Sequence, residues 1–99
     1  MTAAGHDRTP APRVLVADND EHVAAILREF LRRRGLDVTI ADDGRNALAR
    51  LRTGAFAAFV CDLDMPVMSG HAVLAALADA GDAATCPPIV VISGYVDDA

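Results

Sequence analysis

The sequence predicts an α/β fold in which parallel strands form an open sheet with helices on both faces. Short apolar runs alternate with helical patterns along the whole chain, in the order βαβαβαβ. Most of the strand-like runs are apolar throughout, as in strands buried on both faces, and several end on a polar residue. Strands joined by helical crossovers pair in parallel, with right-handed connections.

The first strand and helix follow a short leader. Residues 1–12, "MTAAGHDRTPAP", have no periodic apolar pattern and predict a flexible leader before a domain at 13–99. "VLVA" at 14–17 predicts a buried strand, Asp20 is a candidate helix N-cap, and Gly35 ends the helix. Helical spacing predicts one apolar face made of Val23, Ile26, Leu27, Phe30 and Leu31.

The second strand and helix show weaker patterns. "LDVTIA" at 36–41 alternates apolar and polar residues, which predicts a more exposed strand. "DDGRNALARLRTG" at 42–54 predicts a short helix with Asp43 as its cap and with Leu48 and Leu51 facing inward.

The third unit and the last strand complete the sheet. "FAAFVCD" at 56–62 is a strand that ends on an acid, and "PPIVVISG" at 87–94 is a fully apolar strand. Between them, "HAVLAALADAG" at 71–81 predicts a helix with an inward face of Val73, Leu74, Leu77 and Ala78.

Composition excludes several classes of function. The net charge is -5, and all nine basic residues are arginines, so binding to nucleic acid is not expected. No apolar run is long enough to cross a membrane. Cys61 and Cys86 are too few for a disulfide framework or a zinc site, and we interpret both as small buried hydrophobes in a protein of the reducing cytoplasm.

Polar residues at three predicted strand ends should meet in one crevice, because parallel strands end at one edge of the sheet. These are Asp18 with Asn19, Asp62, and Ser93. Two adjacent aspartates repel each other unless a cation intervenes, and Mg²⁺ prefers such oxygen ligands. A carboxylate beside bound Mg²⁺ can attack phosphorus, and the Ser93 hydroxyl could bond the phosphoryl group. Acids at strand ends can also be simple helix caps.

Three strings carry a resemblance to a known family: "VLVADNDE", "CDLDMPVMSG" and "VVISG". Together they resemble the receiver domain of bacterial response regulators over residues 13–99, and the D-x-x-M-P-x-M-x-G string is the specific part. The resemblance implies a flavodoxin-like, doubly wound sheet with strand order 2-1-3-4. It also implies a signalling module of a two-component phosphorelay rather than an enzyme.

The resemblance assigns roles residue by residue. It implies that Asp62 accepts a phosphoryl group, that Asp18 is the first member of the acidic pair, and that Asp64 offers its backbone carbonyl to Mg²⁺. Ser93 is the hydroxyl residue that follows the phosphoryl group. The implied donor is a sensor histidine kinase or a histidine phosphotransfer protein.

Two departures from the family pattern modify these expectations. Asn19 replaces an acid that binds Mg²⁺ in most receivers. The lost charge predicts weaker metal binding, which Asp20 could restore in part by turning inward. The alternative is that Asn19 is a tolerated substitution without effect. Receivers also continue through a fifth strand that ends in a lysine, but this chain has no lysine, and Arg45 does not match that position. We therefore expect a receiver truncated after its fourth strand, either a fragment or a homodimer through that exposed edge.

Two alternatives remain open at this point. The chain could be a receiver-like docking or dimerisation module in which phosphorylation is impaired. "DLD" at 62–64 also resembles the first motif of haloacid-dehalogenase-type phosphatases, although Pro66 and the position on the third strand count against that resemblance.

Overall fold

A four-stranded parallel sheet forms the centre of the protein, with strand order β2-β1-β3-β4. The computed structural model describes residues 11–79 and 87–92. The elements in chain order are β1 (Arg13–Ala17), α1 (Glu21–Arg32), β2 (Asp37–Ala41), α2 (Gly44–Thr53), β3 (Ala58–Asp62), α3 (Gly70–Asp79) and β4 (Ile89–Ile92). The predicted fold class and strand order are confirmed.

The helix caps form where the sequence places them. The Asp20 carboxylate accepts the N–H groups of His22 and Val23 at 2.9 and 3.2 Å and thereby begins α1. The Asp43 carboxylate accepts the N–H of Asn46 at 2.8 Å and begins α2. Gly35 adopts φ 84° beyond the end of α1, a left-handed conformation that glycine reaches without steric cost.

The two faces of the sheet are covered differently. Helices α2 and α3 enclose one core against β1 and β3, in which Leu15, Phe59 and Val73 are fully buried. Helix α1 lies over β1 and β2 on the other face, where it buries Val14 and Val16. Alternation of side chains along each strand assigns neighbouring residues to opposite faces.

The predicted apolar face of α1 is only partly correct. Ile26 is 69% exposed and Phe30 is 49% exposed, although their spacing matches that of the inward residues. Within residues 11–79 and 87–92, α1 packs mainly on β1 and β2, and its apolar face is wider than the part of the sheet that it covers there. In α3, Val73 and Leu77 are buried as predicted, whereas Ala78 is exposed and the prediction for it was wrong.

Strand β4 forms one edge of the sheet, as predicted, and pairs only with β3 within the described ranges. Its described residues, Ile89 to Ile92, are largely exposed. Pairing of this edge with a second chain stays a prediction. None of the helices at residues 11–79 is long and apolar enough to span a membrane.

Candidate functional site

The acids predicted to meet lie side by side at the carboxyl edge of the sheet. Ala17 of β1 pairs in register with Cys61 of β3, so the next residues, Asp18 and Asp62, are neighbours. Both aspartates are buried, with only 4% of each residue exposed. The prediction that Asp18 and Asp62 converge is therefore correct.

Both carboxylates are held by the same local hydrogen bond. The Asp20 N–H donates to Asp18 Oδ1 at 2.9 Å, and the Asp64 N–H donates to Asp62 Oδ1 at 3.1 Å. A side chain that accepts the N–H two residues later forms a turn just beyond its strand. The chain leaves each strand through such a turn, which fixes the carboxylate at the edge.

Burial raises the pKa of Asp18, and the neighbouring charge of Asp62 raises it further. The hydrogen bond from the Asp20 backbone acts in the opposite direction, but it does not cancel the effect of burial on the pKa. A buried carboxylate beside a second one is costly unless a cation reduces the repulsion. The pair is therefore suited to bind a small hard cation.

The other predicted site residues lie around this pair or outside the described ranges. Asn19 is exposed and lines an open cleft of about 470 Å³ together with Asp18 and Pro66. Asp64 is exposed, so its side chain faces solvent. Arg45 is also exposed, in the first turn of α2. Ser93 lies outside the described residues.

The oxygen atoms at this edge of the sheet suit Mg²⁺, which keeps several waters, better than a metal whose ligands all come from the protein. Within residues 11–79 and 87–92, no group of three or more His, Cys, Asp or Glu side chains is arranged to hold a metal ion. Two buried carboxylates, with amide or carbonyl oxygens nearby, match an ion that retains several waters. Asp20 is exposed, and its Oδ1 caps α1, so it is not part of the buried pair.

The turn after Asp62 depends on close backbone approach. The Gly70 N–H donates to the Leu63 carbonyl at 3.1 Å. A Cβ on Gly70 would clash with the Asp62 carbonyl oxygen and lie 2.7 Å from Leu63 Cα. Glycine at position 70 therefore allows α3 to begin directly against the strand that carries Asp62.

Sequence reasoning missed three features of this loop. Val67 adopts φ 68°, a left-handed conformation that is strained for a β-branched residue. The Met68 N–H donates to the Pro66 carbonyl at 2.6 Å and closes a tight turn around Val67. Ser69 caps α3 by accepting the Ala72 N–H on its hydroxyl at 3.2 Å. The string "SGHA" contains a signal for the cap, whereas no local signal predicts left-handed valine.

Cys61 is buried next to the site, as predicted. Burial raises the pKa of its thiol to about 11, and the adjacent charge of Asp62 contributes. The thiol is therefore protonated and unreactive at neutral pH, in agreement with a role as a small hydrophobe.

The sequence model of the response regulator receiver domain family matches residues 14–99. The transcriptional regulatory protein PrrA of Mycobacterium tuberculosis is 43% identical over 67 residues. That match covers 68% of this chain and 29% of PrrA, so this chain spans less than a third of that relative.

Solved structures agree with the sequence comparison. A response regulator receiver protein from Pseudomonas putida superimposes with a TM-score of 0.78 at 29% identity, covering 90% of this chain and 73% of that one. The response regulator TrrA from Thermotoga maritima, solved in complex with Mg²⁺-BeF, gives a TM-score of 0.75 at 25% identity. That superposition covers 85% of this chain and 70% of TrrA.

Proposed function

The chain belongs to the response regulator receiver family, and we propose that it accepts a phosphoryl group on Asp62 from a phosphohistidine donor in the presence of Mg²⁺. Receiver domains are signalling modules, and the proposed product is an aspartyl phosphate that serves as a signal. The observation that carries the proposal is the buried pair of Asp18 and Asp62 at the ends of adjacent strands.

The proposed roles are those that the family resemblance assigns, and the hydrogen bonds at the two strand ends support them. Asp62 supplies the nucleophilic carboxylate, oriented by the Asp64 N–H. Asp18, the Asn19 amide and the Asp64 carbonyl would hold Mg²⁺ together with Asp62. The metal would neutralise charge on the phosphoryl oxygens during transfer. The Mg²⁺-BeF complex of TrrA supports this assignment by similarity.

The proposed donor is a sensor histidine kinase or a histidine phosphotransfer protein in the cytoplasm. Ser93, which lies outside the described residues, is proposed as the hydroxyl that follows the phosphoryl group. Asn19 stands where most receivers have a second acid. We therefore expect weaker Mg²⁺ binding than in receivers that carry that acid.

Phosphorylation by a small-molecule donor tests the proposal directly. The chain is incubated with acetyl phosphate, with Mg²⁺ or with EDTA, and analysed by intact-protein mass spectrometry. We expect a phosphoryl mass increment that needs Mg²⁺ and that Asp62→Asn abolishes. The matched control is Asp64→Asn, which removes an exposed carboxylate two residues away and should retain labelling.

The alternatives give different results in the same assay. No increment under conditions that label an ordinary receiver would contradict the proposal and favour the docking module. Turnover of a phosphomonoester by the chain would instead favour the phosphatase alternative.

A further inference from the structure

The cleft beside the buried aspartates extends from the carboxyl edge of the sheet into the gap between α1 and β2. It has a volume of about 470 Å³. The polar and charged residues that line it are Asp18, Asn19, Glu21, Arg28 and Asp42. The cleft therefore brings two further carboxylates, from α1 and from the end of β2, into the neighbourhood of the buried pair.

Asp18 connects this cleft with the proposed metal site. Only 4% of the residue is exposed, yet its side chain reaches the wall of the cleft. Its Oδ1 accepts the Asp20 N–H, and within residues 11–79 and 87–92 no N–H or hydroxyl group donates to its Oδ2. A buried carboxylate oxygen without a donor is costly unless a cation binds it. A cation on Asp18 would therefore lie at the inner end of the cleft.

Glu21 occupies the first turn of α1, two residues after Asn19. It is exposed, and both ion pairs in the described part of the chain use Glu29 as their acid instead. Side chains on a helix lean towards its N-terminus. Because α1 begins at the carboxyl edge of the sheet, the Glu21 side chain leans towards the edge at which Asp18 and Asp62 lie.

The other charged residues of the cleft are less well placed to act on that cation. Asp42 follows β2, and β1 separates β2 from β3. Adjacent strands lie about 4.8 Å apart, so a cation bound by both Asp18 and Asp62 is more than one strand spacing from the end of β2. Arg28 lies two helical turns beyond Glu21, about 10 Å along the axis of α1. Glu21 is therefore the acid of the cleft that is best placed.

We propose that the Glu21 carboxylate accepts hydrogen bonds from waters that Mg²⁺ retains when Asp18 and Asp62 hold it. This inference rests on the proposed function. Glu21 thereby supplies, from outside the set of direct ligands, part of the charge that Asn19 lacks. Mg²⁺ keeps several waters, and groups that bond to a metal's ligands adjust its affinity. Glu21 is a positioning residue in this arrangement, because it contacts neither the metal nor the phosphoryl group.

A titration with Mg²⁺ alone, followed by the amide chemical shifts of Asp20 and Asp64, tests the inference without a phosphoryl donor. These two N–H groups donate to the buried carboxylates, so their shifts report an ion at that pair. Glu21→Gln should weaken Mg²⁺ binding by about three- to fivefold, as expected for one charge separated from the ion by water. Glu29→Gln is the matched control, because it makes the same change in α1 at an acid that pairs with arginines, and it should change the affinity by less than about 1.5-fold.

A double-mutant cycle separates the charge of Glu21 from a structural effect. In an Asn19→Asp background the acid at position 19 supplies the charge itself, so Glu21→Gln should then weaken Mg²⁺ binding by less than about 1.5-fold. Loss of a merely structural contact would lower the affinity equally in both backgrounds. Since Glu21 is exposed, all these variants should keep the circular dichroism spectrum of the native protein.

Three results would overturn the inference. Equal Mg²⁺ affinities of the wild type and Glu21→Gln would do so and would leave the metal site at the buried pair intact. An equal loss of affinity in Glu29→Gln would show that net charge alone sets the affinity. The absence of any Mg²⁺-dependent shift in the wild type would contradict the inference and the proposed metal binding together.

Discussion

Replacing Asp18 by asparagine should stabilise the metal-free protein at neutral pH. The substitution removes one of two adjacent buried charges and keeps an oxygen that can accept the Asp20 N–H. Two unit charges about 4 Å apart repel by about 4 kcal/mol at an effective dielectric constant of 20. Solvent at the mouth of the cleft and the hydrogen bond from Asp20 offset part of this energy. We expect the free energy of unfolding to rise by about 1–2 kcal/mol at pH 7.

The stabilisation should depend on pH in a defined direction. The pKa of Asp18 is raised in the folded state above its ordinary value of 3.8, so the folded protein binds this proton more tightly than the unfolded chain does. The resulting contribution to stability is fully present below the unfolded pKa, and it is lost as the pH rises through the folded pKa. The advantage of Asp18→Asn should therefore be greatest at neutral pH and should shrink as the pH falls towards 4.

Urea unfolding in EDTA, followed by circular dichroism at several pH values, measures this difference. Asp20→Asn is the matched control, because it also removes a carboxylate but retains a capping oxygen, and it should change stability by less than about 0.5 kcal/mol. In Mg²⁺ the order should reverse, since ligand binding stabilises the wild type more than a variant with fewer metal ligands. A loss of stability in Asp18→Asn at pH 7 in EDTA would refute the reasoning.

Three further predictions concern the surroundings of the site. Gly70→Ala should lower the free energy of unfolding by about 2–3 kcal/mol in chemical denaturation, because the new Cβ would meet fixed backbone. Gly35→Ala should lower it by about 1 kcal/mol, because the new Cβ meets only open space but the backbone at residue 35 is left-handed. In a Cys86→Ser background, a thiol reagent at pH 8 should modify Cys61 at least about 100-fold more slowly in native than in denatured protein, and equal rates would contradict its burial. Asn19→Asp should tighten Mg²⁺ binding in isothermal titration calorimetry by about tenfold or more and lower stability in EDTA, whereas unchanged affinity would mean that residue 19 does not contact the metal.

The sequence predicts most of the elements because their signals are local. Apolar runs such as 14–17, caps such as Asp20 and Asp43, and the break at Gly35 depend on neighbours within a few residues, and the structure retains all of them. The approach of Asp18 to Asp62 is also predictable, since parallel strands end at the same edge of a sheet. The order of the strands came from the family resemblance rather than from periodicity.

Features that depend on contacts between different helices and strands could not be predicted from local sequence signals. The spacing of Ile26 and Phe30 shows that they share a side of α1, but it carries no information about the width of the sheet beneath the helix. Gly70 is needed because backbone from β3 approaches it, and Val67 is held left-handed by the turn around it. Periodicity describes one element, whereas burial and close approach belong to pairs of elements.

Asn19 in place of an acid should affect both the proposed metal binding and the stability of the fold, because both depend on the same charge. Asp20 is exposed and its Oδ1 is held as the cap of α1, so the buried part of the described site contains two carboxylates, those of Asp18 and Asp62. A third acid would strengthen the attraction for Mg²⁺, but in the absence of the metal it would also add repulsion to a pair that burial already penalises. Asn19 keeps an oxygen ligand and avoids that repulsion. The chain should therefore tolerate the metal-free state better than a receiver with three acids, and should need a higher Mg²⁺ concentration to accept a phosphoryl group.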